Sequence, residues 1–215
     1  GKRKLSMTAY FAACLGRTVA HYPQVHAMKK GRKQLVVFRD VDISVMIEST
    51  PGAVAFPHII REANLKSLGQ ISEEIRTVQE RPEQSEQSPE GSSLIRWAPR
   101  IPRWLRMKAF SWINANPFRA RELQGTVMLT SIGMFGTGGG WGVTFLPIHT
   151  MGLTVGGIQT KPAFVDGNIV PREFVSLTLS FDHDIVDGAP AARFVDKLVR
   201  EIESGTLLKD EMLCL

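Results

Sequence analysis

Apolar residues recur at three- and four-residue spacing through Phe11, Leu15 and Val19, which predicts a helix over Thr8 to His21. Ser6 or Thr8 is placed to cap its start, and Tyr22-Pro23 ends it. Lys29 to Lys33 reads as a charged turn and Gln34 to Phe38 as a short strand. Val41, Ile43, Val45 and Ile47 alternate, so Val41 to Ile47 reads as a second strand and the hairpin partner of the first. Thr50-Pro51-Gly52 is a turn, and Ala53 to Ile60 resumes strand character. Leu68, Ile71, Ile75 and Val78 share one face of a helix predicted over Ser67 to Glu80.

The last third is rich in strands and turns. Thr126 to Ile132 reads as a strand, Gly133 to Gly142 as a glycine-rich turn, and Val143 to Ile148 and Thr154 to Ile158 as strands. Asp166-Gly167-Asn168 is a hairpin turn. From Phe174 to Asp182, Val175, Leu177, Leu179 and Phe181 make one apolar face, opposite Phe174, Ser176, Thr178 and Ser180. Ala189 to Glu203 reads as a helix bearing Phe194, Leu198 and Ile202. The pattern predicts an α/β (α+β) fold, with a mixed, largely antiparallel sheet and helices packed on it. No linker separates two complete patterns and no internal repeat is visible, so 1–215 reads as a single domain.

Two stretches interrupt this pattern. Residues 80–93 (ERPEQSEQSPEGSS) are polar and acidic and read as a surface loop. Residues 95–121 carry Arg96, Arg100, Arg103, Arg106, Lys108, Arg119 and Arg121, interleaved with Trp97, Trp104, Phe110, Trp112 and Phe118. One reading packs these aromatics on their own domain and leaves the arginines in water. A second uses them to contact a partner protein or a membrane surface. Nucleic acid is set aside, because single-strand stacking platforms are usually sheets.

Composition narrows the picture slightly. Hydrophobic residues make up 43% and charged residues 22%, as in ordinary globular domains. No apolar run has the length of a bilayer span. The basic start GKRKLSM lacks a following signal core and cleavage site, so a cytoplasmic location is expected. Of the two cysteines, Cys14 falls in an apolar helical pattern and Cys214 lies beside the C-terminus. Neither suggests a disulfide framework, no Cys/His cluster has zinc spacing, and no metal is expected. A net charge of +5 suits phosphate-bearing ligands such as coenzyme A but selects none of them.

The sharpest chemical signal is LSFDHDIVDGAPAARF, Leu179 to Phe194. His183 follows a predicted strand, and Asp187-Gly188 opens a predicted helix, where negative charge is favoured. A histidine fixed between strand and helix suits a general base, whose ring must be held in place. From spacing alone, a surface turn with an incidental histidine is an equal alternative. Asp182 and Asp184 flank His183, but neighbouring strand residues face opposite sides, so they are not read as a ready-made carboxylate pair. The run Gly136 to Gly142 lacks the Gly-Lys-Ser/Thr ending of a phosphate loop. His21, His26 and His58 have no partners at ligand spacing and read as core or surface residues.

The pattern His-x-x-x-Asp-Gly, preceded by LSFD and followed by GAPAARF, resembles the signature of the acyltransferase component of the 2-oxo acid dehydrogenase complexes. Chloramphenicol acetyltransferases share its shorter form. LSMTAYFAACLGRTVAHYPQVHA resembles that family's early helix, with His26 where the family usually has Asn. The segment DVDISVMIESTPGAVAFPHIIREANLKSLGQISEEI, with Gly52, resembles the lining of its substrate channel. GTVMLTSIGMFG, ending in the turn that starts at Gly133, resembles the strand that carries its catalytic hydroxyl.

The resemblance implies a dihydrolipoamide acyltransferase-like enzyme with coenzyme A as a substrate. His183 would act as general base on the thiol of CoA or dihydrolipoamide, which is only a few per cent thiolate at neutral pH. A gap-free alignment puts Thr130 at the oxyanion-stabilising position with Ser131 beside it, and gives Asp187, with Gly188, a loop-holding role. His149 stands where the family usually has Asn, and Asp184 where it commonly has Arg. The family further implies a trimer with His183 and Thr130 meeting across a subunit interface, and cages joined by a C-terminal tail like LLKDEMLCL. Its catalytic domains start several tens of residues before the point matching Gly1, and no lipoyl attachment site is visible. A stand-alone or shortened acyltransferase is therefore expected, and a catalytically silent scaffold of the same fold is the alternative.

Overall fold

The computed structural model describes residues 5–31, 33–50, 52–88, 92, 98–133, 139–146 and 148–213. Pro51, Ile95 to Trp97, most of the glycine run before Gly139, Pro147 and Cys214 fall outside them.

Helix α1 (Met7–His21) has apolar side chains on nearly every side and is buried from Ala9 to Gly16. It packs against α2 (Leu68–Glu80) and α5 (Gly188–Ser204). A side chain at Gly16 would meet the backbone of Ala63 at 3.0 Å, so glycine lets α1 lie directly on the Ala63-Asn64 backbone. Ser67 caps α2 reciprocally with Gln70, two donors satisfied at once. Ser6 takes the N-cap position of α1 without a side-chain cap bond.

Five strands form the main sheet in the order β4-β3-β5-β6-β7: β3 (Ile43–Ile47), β4 (Phe56–Ile60), β5 (Val127–Ser131), β6 (Met151–Val165) and β7 (Asn168–Phe181). The β3-β5 and β5-β6 ladders are parallel, while β3-β4 and the long β6-β7 hairpin are antiparallel. Asp166 (φ 49°) and Gly167 (φ 82°) both adopt positive φ, as a two-residue hairpin turn requires. Ile43, Val45, Ile47, Val127, Leu129, Met151 and Leu153 join α1, α2, Phe194 and Leu198 in one core. The alternate residues of β5, β6 and β7, among them Thr130, Thr154, Thr178 and Ser180, make the second face rich in hydroxyls.

The strand pairing corrects one expectation. Gln34 to Val36 (β2) pairs with Met28 to Lys30 (β1), not with the 41–47 segment, so the supposed turn at Lys29 is half strand. Ile43 to Ile47 instead pairs with β4 and β5. Alternation identifies a strand but says nothing about its partner. Val143 to Leu146 is not a strand either. Leu146 lies over Gly152, where a Cβ would fall 2.7 Å from its Cδ2.

The basic and aromatic stretch forms two helices, α3 (Arg103–Asn114) and α4 (Pro117–Gln124). No residue of α3 is buried, and Trp104, Phe110, Trp112 and Phe118 are exposed. Trp104, Phe110 and Trp112 are thus not packed into their own domain, whereas Phe118 meets the Phe38 ring edge-on at 5.9 Å. The last helix, α6 (Thr206–Leu213), follows α5 after Gly205. Among the described residues, no helix is long and apolar enough to cross a membrane.

Candidate active site

His183 sits on a tight turn between β7 and α5. Asp182 donates its N–H to the Thr150 carbonyl (2.8 Å), while its own carbonyl accepts from Ile185 and Val186 (3.0 Å each). Its carboxylate accepts the Asp184 N–H at 3.0 Å. The turn is thus bonded to sheet on one side and leads into the helix on the other, and the imidazole projects into solvent. Among the described residues no hydrogen bond reaches that ring. Asp187 occupies the N-cap position of α5, but its side chain makes no capping bond. In this chain the carboxylate that ties down the turn is that of Asp182.

Sequence reasoning missed Lys29. Its ammonium reaches Asp184 Oδ2 at 2.8 Å and Asp182 Oδ2 at 3.3 Å, bracketing His183 from strand β1. The two carboxylates do converge, contrary to expectation, because residues 183–185 form a turn in which strand alternation no longer applies. The hydrogen bond from Lys29 holds the Asp184 carboxyl below its usual range. The hydrogen bond to Asp184 in turn raises the Lys29 ammonium above its own. No linear signal links position 29 to positions more than 150 residues away.

Thr130 lies near the end of β5, beside Thr154 of β6, which pairs with Thr178 of β7. Ser131 falls on the opposite face, with Val127 and Leu129. A cavity of about 490 Å³ opens at this end of the sheet, lined by Thr130, Ser131, Met46, Ile47, Ile75 and Gln79, among others. Gly52, in the turn after β3, adopts φ 88° and donates its N–H to Glu48. Gly133 packs against the irregular Gly156-Gly157 stretch of β6, where any Cβ would collide with the Gly156 carbonyl. Gly188 opens α5 with free space around it.

His183 and Thr130 do not meet within one chain. His183 lies five residues beyond Thr178 and two strands from Thr130. At ~3.3 Å per residue and ~4.8 Å per strand, the separation is roughly 20 Å.

The other histidines fill structural places. His26 is buried, with Nε2 donating to the Phe38 carbonyl (3.1 Å) and Nδ1 facing the Thr126 hydroxyl (3.1 Å). Burial pushes its pKa down to about 4. His58 bonds Ser85 and Glu74. His149 is buried, donates to the Gln124 carbonyl at 2.9 Å, and is held neutral by that burial. The buried Cys14 thiol is pushed up to about 12, chiefly by burial, which removes it as a nucleophile.

Comparison with known proteins adds a family. Residues 1–93 and 113–209 match the family described as 2-oxoacid dehydrogenases acyltransferase (catalytic domain). The chain is 23% identical over 202 residues to the lipoamide acyltransferase component of the branched-chain alpha-keto acid dehydrogenase complex of Bacillus subtilis. That alignment covers 93% of this chain and 39% of the relative's length. Its fold is similar to that of dihydrolipoamide acetyltransferase from Azotobacter vinelandii (TM-score 0.65, 20% identity, 95% of this chain and 72% of the other). The catalytic roles of a serine, a histidine and an asparagine have been investigated in that protein. It is likewise similar to the cubic core of a pyruvate dehydrogenase multienzyme complex (TM-score 0.63, 22% identity, 95% of this chain and 72% of the other).

Proposed function

The chain belongs to the 2-oxoacid dehydrogenases acyltransferase (catalytic domain) family, and we propose that it moves an acyl group between coenzyme A and a thiol such as dihydrolipoamide. His183 removes the thiol proton, and the thiolate attacks the carbonyl carbon of the acyl thioester. The tetrahedral oxyanion is stabilised by the Thr130 hydroxyl. The intermediate then expels the original thiol as thiolate, which takes the proton back from the imidazolium. Lys29, Asp182 and the helix start at Asp187 hold the turn that carries the base.

The observation that carries this reading is the placement of His183: exposed, and rigidly held by backbone bonds on both sides. The rough 20 Å to Thr130 adds a condition, that the site is built from two copies of the chain. Residues of one interface would then supply the base and the hydroxyl, in a trimer or a larger cage. The ordinary cyclic symmetry of homo-oligomers provides such repeated interfaces.

Two measurements test the proposal. Exchange of isotope-labelled CoA into short, branched and long acyl-CoAs should show turnover that His183→Ala abolishes while CoA binding persists. Mass in solution should show at least a trimer. A stable monomer at micromolar concentration would remove the shared site. Absence of exchange, with CoA bound equally by wild type and His183→Ala, would favour the silent scaffold instead.

A further inference from the structure

Helix α3 contributes no fully buried side chain to its own domain. All but its last two residues fall in 94–112, the gap between the two matched segments of the family.

Its chemistry is one-sided. From Ser92 to Arg121 the sequence holds seven Arg or Lys residues and no Asp or Glu. At a helical period, Met107, Trp104, Trp112 and Leu105 fall in one sector of about 160°, with Lys108 between the two tryptophans, while Phe110 and Ile113 fall on the side of Arg103 and Arg106. Trp104 is 62% exposed and Trp112 61%. Each ring has a cation at its own level. Lys108 Nζ stands 5.5 Å from the Trp104 ring, and the Arg119 guanidinium 3.6 Å from that of Trp112.

We propose that α3 docks the protein onto a membrane surface carrying anionic phospholipid headgroups. Tryptophan is favoured at the level of the headgroups, with its ring toward the acyl chains and its N–H toward water. Lysine and arginine at the same depth neutralise phosphates while their stems cover apolar surface. α3 itself carries three cations, Arg103, Arg106 and Lys108, each of which an anionic leaflet attracts by about 1 kcal/mol. The helix lies on the bilayer rather than crossing it. This assignment does not depend on the acyl-transfer reading, since no residue of that site is involved.

The test is co-sedimentation of the full chain with phosphatidylcholine vesicles, with or without about 30% phosphatidylglycerol. The anionic vesicles should bind at least roughly tenfold more strongly, with binding falling as salt is raised from about 0.05 M to about 0.5 M. Tryptophan emission should shift to the blue on binding. Arg103→Glu, Arg106→Glu and Lys108→Glu combined should abolish capture. Trp104→Ser with Trp112→Ser should weaken it by roughly tenfold or more and remove most of the emission shift. Because Arg103, Trp104, Arg106, Lys108 and Trp112 are exposed, both variants should stay folded and keep the wild-type acyl exchange, which separates this test from that of the active site. No capture, equal capture by neutral vesicles, or full capture by both variants would overturn the proposal. So would retention on soluble polyglutamate without capture by vesicles, which would point to an acidic protein partner.

Discussion

Lys29 Nζ lies 2.8 Å from Asp184 Oδ2 and 3.3 Å from Asp182 Oδ2, so one cation from β1 spans both carboxylates beside His183. In place of the Arg expected after the histidine, the turn carries an anion, and the neutralising charge comes from another strand. Lys29→Met should lower kcat severalfold and leave KM nearly unchanged, because the turn loosens while the substrate contacts remain. Lys29→Asp with Asp184→Lys should recover much of the loss. A charge-swapped protein no better than Lys29→Met would mean that the bridge does not position the turn.

The strand alternation at Thr130 and Ser131 makes a sharp comparison. Thr130→Ala should cost roughly 10²- to 10³-fold in kcat with little change in KM, as expected for loss of one oxyanion donor. Thr130→Ser should retain much of the activity, and Ser131→Ala should be mild. Steady-state kinetics on the four proteins decides it. A severe Ser131→Ala beside a mild Thr130→Ala would place the hydroxyl one residue later.

Asp42 is nearly fully buried and pairs with Arg121 Nε at 2.9 Å and Arg61 Nη1 at 3.1 Å, which ties α4 to the start of β3. Burial alone would raise its carboxyl. The Arg121 hydrogen bond, the Glu62 N–H and Arg61 outweigh it and hold the group below its ordinary value. Its contribution to stability is therefore full above the unfolded carboxyl value and is lost as pH falls through the lower folded one. Asp42→Ala should destabilise by about 3–5 kcal/mol, because it leaves two arginines facing an emptied site. Urea unfolding at pH 7 should show this, and the variant should lose less stability than wild type below about pH 4.

His26 titrates with the opposite consequence. It is neutral in the fold, with a pKa near 4 against an ordinary 6.5. The unfolded chain takes up its proton first, so stability should decline between about pH 6.5 and 4 by roughly 3 kcal/mol, and level off below. His26→Asn can keep a donor toward the Phe38 carbonyl and should flatten that slope. An unchanged slope in the variant would assign the acid sensitivity elsewhere.

Local chemistry was the legible part of this sequence. The His183 turn, the Asp166-Gly167 hairpin and the apolar face of α2 each depend on residues within a few positions of one another. Pairing partners were not legible, since Gln34 to Val36 carries a strand pattern equally suited to either neighbour. Helix α3 escaped notice because its apolar residues are flanked by cations and none faces a core. Lys29 was invisible for a related reason: its partners are brought close only by the folded sheet. Asp187 was legible as a helix start, whereas the fastening of the turn by Asp182 could be seen only with the backbone in place.

The spacing of Thr130 and His183 on one sheet has a genetic corollary. If each working centre draws its base from one copy and its hydroxyl from a neighbour, two dead proteins can restore life to each other. Chains bearing His183→Ala and chains bearing Thr130→Ala, unfolded together in equal amounts and refolded, would place an intact pair at about one interface in four. Refolded apart, neither would have any. Recovery of about a quarter of wild-type exchange, rising and falling with the mixing ratio, is the signature of a centre that no single polypeptide owns.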